Sequence, residues 1–443
     1  MFRKMLATLL VLAVILSFSS CNYFDMNVEE LIHPPRYDKD TYPIQKALET
    51  VAGKNITLKY PLSGNYRSAF IFKDLDGDSI NEAVVLYSTN TDGTVYMHLN
   101  VIALDGDEWV SKSDIKLVGS DIEKIMFSDL NNDTFPEIIV GWMIYGTVDK
   151  QVGIYTYDGK MLNQRSMEKY SNFLCGGLTS ATSNELIVIN LNTTEKTSVV
   201  KVLSFVESSI AISGSTMIDG GVTSYSTPII STLKDGRQAL YIDAVKGTGA
   251  LTEIVWFDGD VLKSVYDSTL AETSLTYRPS SVASADFNND KLIEIPVMRE
   301  LKSTENKSEE NKVYVTSWCN YDGKNLIIVD NTFMNYSDGY YLSIPNNWLD
   351  KIHLARKTDS RLRIFYSYDP ATDTQGDECF RIVAATQNEI NDGKYKNTEY
   401  KTLGSYGGMV YLVKIAENNE LGITQEVLIE SFHIINQEKE EEK

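Results

Sequence analysis

The stretch FKDLDGDSINEAVVLY, residues 72–87, places aspartates at alternate positions and then a glutamate directly before an apolar run. Such a pattern is typical of a metal-binding loop, of carboxylates paired for catalysis, or of an acidic turn before a strand. The chain repeats it as FSDLNNDTFPEIIVGW at 127–142 and as SADFNNDKLIEIPVM at 284–298. All three copies share one frame: Asp, an apolar residue, Asp or Asn, Gly or Asn, Asp, three residues, Glu, and an apolar strand. This repetition indicates a fold built from repeated units.

The spacing of the three copies predicts two more units between them. Their first aspartates are Asp74, Asp129 and Asp286, and the second interval is about three times the first. TSNELIVIN at 182–190 retains the glutamate and the strand, whereas DGRQALYIDA at 235–244 retains only the strand. We therefore expect five related units.

A second marker repeats in phase with the acidic frame. Asp-Gly pairs follow an apolar strand in LDGD (104–107), YDGK (157–160), FDGD (257–260) and YDGK (321–324). Asp-Gly between alternating strands predicts a hairpin, because glycine adopts the positive φ that such turns require. In the third unit FVESS (205–209) stands at this place. One unit therefore contains a strand, an acidic loop, two strands, an Asp-Gly turn and a last strand.

Four short strands in each repeat of about fifty residues predict a mainly β fold, a β-propeller of about five, or six, four-stranded blades followed by a small α+β domain. A β-sandwich with accidental similarity between its strands is the alternative. The predicted domains are a signal peptide with a lipobox cysteine (1–21), a tether with a short helix (22–56), the propeller (57–332), the α+β domain (333–436) and a charged tail (437–443).

Two helices are predicted outside the repeats. DTYPIQKALETVAG at 40–53 has an early proline and a closing glycine, and it spaces Ile44, Leu48 and Val51 on one face. ITQEVLIESFHII at 423–435 predicts a final amphipathic helix in the α+β domain.

The N-terminal residues indicate export. MFRK precedes the apolar run MLATLLVLAVILSF, which has the length of a signal peptide. Ser19-Ser20-Cys21 resembles the lipobox of bacterial lipoproteins, although Phe18 stands where that family usually has leucine. The resemblance implies that Cys21 is lipidated and anchors the chain to the outer, extracytoplasmic face of a bacterial cell membrane. Ordinary secretion with a free Cys21 thiol is the alternative.

The charge of the chain argues against nucleic acid as a partner. The formal net charge is −20, and removal of the leader with its two basic residues makes it more negative. Such a surface repels nucleic acid and attracts cations. The remaining cysteines, Cys175, Cys319 and Cys379, are widely spaced and predict buried free thiols rather than a disulfide framework or a zinc site.

The acidic frame resembles the FG-GAP and VCBS-type repeats of integrin-like propellers, in which the loop between the first two strands of a blade binds calcium. Calcium prefers six to eight oxygen ligands in a flexible shell. A tight loop offers side chains from positions one, three and five, a carbonyl from position seven and a carboxylate from position nine. The candidate calcium ligands are Asp74, Asp76, Asp78, Ile80 and Glu82; Asp129, Asn131, Asp133, Phe135 and Glu137; and Asp286, Asn288, Asp290, Leu292 and Glu294.

The three loops are not equivalent. Gly77, Asn132 or Asn289 at position four tolerates a left-handed backbone. The first loop carries four acidic side chains and the others three, so the first is expected to bind calcium most tightly. A metal-free turn, in which the acids only accept bonds from backbone amides, is the alternative for each loop.

No enzymatic function is predicted. The four histidines lie far apart in sequence, and neither a nucleophile elbow nor a phosphate-binding glycine loop is present. We expect a binding or interaction module whose ligand is an envelope protein or a carbohydrate. The alternative is an extracytoplasmic propeller enzyme, a carboxylate-dependent glycosidase or lyase. The five tryptophans are expected to pack between blades or to line a binding face.

Overall fold

A computed structural model of the chain describes residues 41–144, 150–206, 209–270, 274–301, 313–356, 361–417 and 419–435. The predicted signal peptide, lipobox Cys21, the N-terminal part of the tether and the charged tail lie outside the described residues. Within the described ranges, none of the helices combines the length and the apolar character that a membrane span requires. The chain divides into two compact units, one formed by residues to Ile122 with Tyr157–Leu162 and one by the rest.

The first unit contains one helix and one antiparallel sheet. Its elements are α1 (Tyr42–Ala52), β1 (Thr57–Leu58), β2 (Phe70–Lys73), β3 (Glu82–Thr91), β4 (Thr94–Asp105) and β5 (Glu108–Val118). The sheet order is β1-β3-β4-β5, with β2 also paired to β3. The predicted helix is confirmed, and Ile44 and Leu48 pack on the sheet as expected. The prediction for Val51 is wrong, because Val51 is 57% exposed and Ala47 completes the buried face.

The second and third sheets have four strands each, in chain order. The second contains β6 (Asp121–Ser128), β7 (Glu137–Met143), β8 (Lys150–Tyr157) and β9 (Leu162–Tyr170). The third contains β10 (Asn172–Gly176), β11 (Glu185–Asn192), β12 (Thr197–Val206) and β13 (Ser209–Asp219).

The fourth sheet has the same plan, with its first strand in two pieces. It contains β14 (Ser224–Tyr225), β15 (Ile229–Thr232), β16 (Gln238–Lys246), β17 (Gly249–Asp258) and β18 (Val261–Ser264), followed by a 3₁₀ turn at Ser268–Leu270. Both β14 and β15 pair with β16.

The fifth and sixth sheets complete the described chain. The fifth contains β19 (Ile295–Leu301), β20 (Val313–Tyr321), β21 (Leu326–Asn335) and β22 (Tyr340–Ser343). The sixth contains β23 (Ile352–Arg356), β24 (Leu362–Asp369), β25 (Thr374–Thr386), β26 (Lys401–Tyr406) and β27 (Met409–Ile415), with α2 (Gln387–Asn391) after β25. After α3 (Gln425–Ser431), strand β28 (Phe432–Ile434) returns to the fifth sheet and pairs with β22.

Alternate residues of a central strand pack on opposite neighbouring sheets. On β11, Leu186 and Val188 contact the second sheet, whereas Ile187 and Ile189 contact the fourth. A strand segment buried on both faces has an unbroken apolar sequence, as Leu186–Ile189 of β11 has, because successive side chains point to opposite faces. Further clusters join the fourth to the fifth sheet and the fifth to the sixth.

Serial up-and-down antiparallel sheets with shared apolar faces are the construction of a β-propeller, and the predicted fold class is confirmed. The Asp-Gly turns are confirmed as well, since Gly106, Gly159, Gly259 and Gly323 all have positive φ. The third turn, 205–209, lies partly outside the described residues. Trp142, Trp256, Trp318 and Trp348 are buried, as expected for packing between sheets.

The C-terminal segment is continuous with the fifth sheet. Strand β21 crosses the expected boundary at 332/333, and the core cluster of this region joins Leu301, Val313 and Val315 to Phe365 and Phe380 of the sixth sheet. The prediction of a single helix over 423–435 is wrong. The helix ends at Ser431, and the following residues form β28 because they can pair with the edge of β22.

This continuity predicts that residues 333–435 do not fold alone. The isolated segment lacks β19, β20 and most of β21, so Phe333 and Tyr340 would lose the apolar surface on which they pack. Thermal unfolding followed by circular dichroism should be non-cooperative for this segment and cooperative for residues 41–435. A cooperative transition in the isolated segment would establish it as an independent domain.

Candidate metal loops

The repeated acidic frame forms the connection between neighbouring strands. We call residues 74–82, 129–137, 177–185 and 286–294 the first, second, third and fifth loops, after the repeat that contains each. The first loop joins β2 to β3, the second joins β6 to β7, and the third joins β10 to β11. The fifth loop is closed by an antiparallel bridge between Ala285 and Glu294. The glutamate at the end of the nine-residue frame is therefore the first residue of a strand in the first three loops, and in the fifth loop it directly precedes β19.

A carboxylate–amide hydrogen bond closes all four loops. Oε2 of the glutamate at position nine accepts the backbone N–H of the residue at position two. The pairs are Glu82 with Leu75 (2.8 Å), Glu137 with Leu130 (2.7 Å), Glu185 with Leu178 (2.7 Å) and Glu294 with Phe287 (2.8 Å). The position-two residue is apolar in each case, and in the first three loops it is buried. One oxygen of the glutamate is thus engaged by the backbone, and only Oε1 faces the remainder of the loop.

The aspartate at position one also holds the loop backbone. Asp74 accepts N–H groups from Gly77 (2.7 Å) and Ser79 (3.1 Å). These two donors are at positions four and six, whereas Asp129 and Asp286 accept the N–H groups of positions five and six. A carboxylate has about four lone-pair sites, so these bonds leave capacity for a cation.

The backbone is left-handed at two positions of each acidic loop. Position four was expected to be left-handed, and Gly77, Asn132 and Asn289 have φ of 82°, 61° and 61°. Position six is left-handed too, with φ of 70° at Ser79, 80° at Thr134 and 71° at Lys291. The residue types do not predict this second position, because none of the three favours positive φ.

Acidic oxygens converge in two of the three acidic loops. Ligand atoms of Asp74, Asp76 and Asp78 lie within 4.8 Å of one another, as do those of Asp286, Asp290 and Glu294. These groups could hold a metal ion. All their donors are oxygens, which fits a hard cation.

In the second loop an amide lies among the acids. Asn131 Nδ2 donates to Asp133 Oδ2 and to Glu137 Oε1, both at 2.8 Å. The amide hydrogens thus neutralise the carboxylates locally. Rotation of this amide would turn its oxygen toward the same point, because the two ends of the group have nearly the same shape.

The glutamates carry unfavourable charge in the absence of a cation. Burial, together with the Asp76 and Asp78 carboxylates, raises the pKa of Glu82 to about 7 against the opposing Leu75 amide. Burial raises the pKa of Glu137 to about 7 as well, and it raises the pKa of Glu294. A cation in the loop would relieve this repulsion.

An unsatisfied polar atom lies beside the first loop. The buried hydroxyl of Tyr157 has no hydrogen-bond partner among the described residues. Its pKa is raised by burial and by the charges of Glu82 and Asp76. Gly159, in the adjacent Asp-Gly turn, approaches Asp76 so closely that a Cβ would lie 3.1 Å from Oδ2. The Asp76 side chain therefore packs closely against this turn.

The degenerate copies replace the acids with other partners. In the third loop the Thr179 hydroxyl at position three donates to Glu185 Oε1, and Ser180 and Ser183 bond to each other. In the fourth repeat, Arg237 pairs with Asp235, with Nε to Oδ2 at 2.8 Å. A hydroxyl in the third repeat and a guanidinium in the fourth thus donate hydrogen bonds to the acidic side chains that remain.

The structure also assembles an imidazole network that the sequence did not reveal. His98 on β4 lies between Asp114 Oδ2 at 2.8 Å from Nδ1 and Thr89 Oγ1 at 2.8 Å from Nε2. Tyr87 stacks on the imidazole and donates to Asp114 Oδ1 at 2.9 Å. Burial disfavours the Asp114 charge, but the His98 bond and charge outweigh it and lower the pKa of Asp114. Facing positions on three strands, rather than sequence proximity, bring these groups together.

A second buried ionisable group lies between the third and fourth sheets. Glu253 is 2% exposed, and its Oε1 accepts the Asp219 N–H at 2.9 Å while Oε2 has no partner among the described residues. Lys246 pairs with Asp219 at 2.5 Å. Burial raises the pKa of Glu253 to about 7, and the Asp219 charge acts in the same direction.

The cysteines match their prediction in part. Cys175, Cys319 and Cys379 are free thiols, and the last two are buried. Cys175 is half-buried at the residue level, yet burial of its sulfur raises its pKa to about 12.

No protein-family model matches the sequence, and no curated protein matches it. Solved structures with partial similarity include the exotype rhamnogalacturonan lyase YesX, with 10% identity, a TM-score of 0.29, and coverage of 73% of this chain and 83% of that chain. A protein from Lactobacillus plantarum has 8% identity, a TM-score of 0.28, and coverage of 73% and 94%. The Dos1 propeller has 9% identity, a TM-score of 0.25, and coverage of 82% and 81%. Because these scores are low, the fold assignment rests on the sheets themselves.

The strained position six offers a test of the loop geometry. Thr134 is β-branched at φ 80°, so Thr134→Gly should relieve strain of about 1–2 kcal/mol against a smaller loss of chain entropy. We expect the variant to unfold about 2 °C higher in differential scanning calorimetry. Gly77→Val, the reverse change at φ 82°, should lower the midpoint. A clear loss of stability in Thr134→Gly would contradict the left-handed assignment.

The buried Glu253 predicts a pH dependence. Its carboxyl has a pKa of about 7 in the folded chain against 4.5 for the free group. Its stabilising contribution is therefore complete below pH 4.5 and is lost as the pH rises through 7. Glu253→Gln should remove this loss and make the variant more stable than the parent by about 3 kcal/mol at about pH 8, but not at about pH 4.5.

Urea unfolding at the two pH values measures the difference in the free energy of unfolding between the parent and Glu253→Gln. Glu108→Gln, at an exposed position, is the control. Equal pH dependence in parent and Glu253→Gln would show that Glu253 is not a buried titrating group.

Proposed function

We propose that this chain is a calcium-stabilised propeller that acts as a binding module at the bacterial cell surface, held there by a lipid on Cys21. The observation that carries the proposal is the recurrence of one loop geometry in three repeats, with oxygen donors at the same positions in each. The resemblance of the frame to FG-GAP and VCBS-type repeats supports the same proposal.

The donor set favours calcium over other metals. Every candidate side chain is a carboxylate or an amide, and neither nitrogen nor sulfur donors accompany them, which disfavours zinc and copper. Magnesium requires a near-ideal octahedron and retains several waters, whereas calcium accepts an irregular shell of six to eight oxygens. The candidate ligands are the fifteen residues at positions one, three, five, seven and nine of the acidic loops.

The glutamate would contribute a single oxygen. Its Oε2 is occupied by the amide at position two, so Oε1 is the atom that would face the ion. Oε1 of Glu137 and Oε1 of Glu294 accept the side-chain amides of Asn131 and Asn320, which an ion would displace. A cation bound by this oxygen would link the glutamate at the end of the loop to the aspartates at the beginning of the same loop. The role proposed for calcium is therefore structural.

The binding function follows from how the acids are used. The patterned carboxylates accept backbone amides within their own loops, which is a structural use of these acids. We therefore propose that the chain acts through binding rather than catalysis, with an envelope protein or a carbohydrate as its ligand. The lipid anchor would place it on the extracytoplasmic face of the membrane.

The calcium proposal can be tested with substitutions that copy the third loop. Asp76→Thr, Asn131→Thr and Asn288→Thr together place threonine at position three of each acidic loop, as Thr179 stands in the third. In the parent, calcium at about a thousand times its dissociation constant should add about 4 kcal/mol for each independent site. The triple variant should lose most of this gain, because each loop loses a ligand that faces the ion. Its stability in chelator should stay close to that of the parent, because threonine can donate to the glutamate.

The control carries the same residue changes outside the loops: Asn55→Thr, Asp107→Thr and Asn190→Thr, all at exposed positions. Urea unfolding of residues 22–443 in calcium and in chelator measures all three proteins. The control should keep the full calcium effect. If calcium does not stabilise the parent, or stabilises the triple variant equally, the calcium assignment is wrong and the enzyme alternative gains weight.

A further inference from the structure

A pocket lies between the fifth and sixth sheets, away from the acidic loops. Its volume is about 370 Å³, within the range of small-molecule sites. Its wall includes Met298, Phe333 and Leu354, which are apolar, and Tyr314 and Tyr336, which are aromatic. The pocket thus combines a mainly apolar lining with two phenolic rings.

One of the residues that line the pocket belongs to a buried ion pair. Arg363 lines the pocket, and its Nη2 lies 3.1 Å from Asp338 Oδ2 with the two side chains 9% and 6% exposed. Asn335 donates to the same carboxylate at 2.9 Å, and the Ser337 hydroxyl donates to Asn335 Oδ1 at 2.8 Å. These bonds fix the polar groups in place before any ligand arrives, which lowers the entropy lost on binding.

The charge balance restricts the class of ligand. The guanidinium of Arg363 and the carboxylate of Asp338 cancel, so the pocket favours neither an anion nor a cation. Its polar lining includes Asn335, Ser337 and Arg363 within an apolar surround. An uncharged ligand with several hydroxyls and one apolar face would match these groups.

Tyr336 offers an apolar surface to a ligand in the pocket. Tyr336 lines the pocket and is 56% exposed, although large aromatic side chains are usually covered. An exposed ring beside fixed polar groups offers a flat surface with a polar tip, which is typical of aromatic residues at binding surfaces. A pyranose ring has the complementary form, with axial C–H groups on one face and hydroxyls at its edge.

We propose that this pocket binds an uncharged saccharide unit, with Tyr336 against its C–H face and the polar groups around Arg363 near its hydroxyls. The inference rests on the proposed function as a binding module, for which it names the ligand class. It does not depend on calcium, because neither the ion pair nor the tyrosines belong to the acidic loops.

Saturation-transfer NMR on residues 22–443 tests this, with methyl glycosides of glucose, galactose, mannose and N-acetylglucosamine as probes. Glucuronic acid and an Ala-Ala dipeptide serve as comparators of other classes. At least one neutral glycoside should bind, and Tyr336→Ala should weaken it about tenfold through loss of the ring contact. Met298→Trp should abolish binding by filling the pocket, and Tyr60→Ala, which removes a tyrosine that is 49% exposed elsewhere, should leave it unchanged.

Three results would overturn the proposal: none of the four glycosides binds, only glucuronic acid or the dipeptide binds, or binding persists unchanged in both pocket variants. Urea unfolding of the same samples with and without calcium separates the two proposals. A normal calcium effect without saccharide binding rejects only the pocket, and saccharide binding without a calcium effect rejects only the metal.

Discussion

The hydrogen bond between the glutamate at position nine and the amide at position two is the interaction on which the repeat depends. It is present in the first, second, third and fifth loops, at 2.7–2.8 Å in each. The third loop has lost the aspartates of the frame but retains Glu185 and this bond. The bond therefore belongs to the fold of the loop, and the ability to hold a cation is an addition to it. Because the carboxylate is mostly buried, an unpaired amide or an unpaired carboxylate would be costly at this place.

This constraint connects the loops to the core of the protein. The residue at position two follows the first strand of the repeat, and the glutamate lies at the start of the next strand or directly before it, so the bond fixes the spacing between the two strands. From that point the second strand runs between two neighbouring sheets with apolar residues on both faces, as β11 does. Because apolar side chains cover both faces of such a strand, the polar residues of each repeat are concentrated in its loops and turns. The acidic frame is tolerated there because its charges lie at the end of the sheet.

The sequence was sufficient for the fold class and for most of the loop geometry. Repetition of the frame and of Asp-Gly predicted the serial sheets, and glycine or asparagine at position four predicted the left-handed backbone. Position six could not be predicted, because Ser79, Thr134 and Lys291 adopt positive φ only under the hydrogen bonds that they donate to Asp74, Asp129 and Asp286. The final strand β28 was missed for a related reason, since its apolar pattern is also helical and only pairing with β22 decides between them. The His98 network and the Arg363 pocket depend on which strands become neighbours, and short sequence motifs do not contain that information.

The central claim is that three loops of one geometry each hold a calcium ion through oxygen ligands. The most direct measurement is the number of calcium ions bound per chain, determined by isothermal titration calorimetry on residues 22–443 in a buffer that contains magnesium. The account predicts three ions, with the first loop, which has the most carboxylates, filled at the lowest calcium concentration. Absence of calcium binding under these conditions would contradict the claim that the loops hold calcium. The glutamate–amide bond alone would then explain the geometry that the loops share.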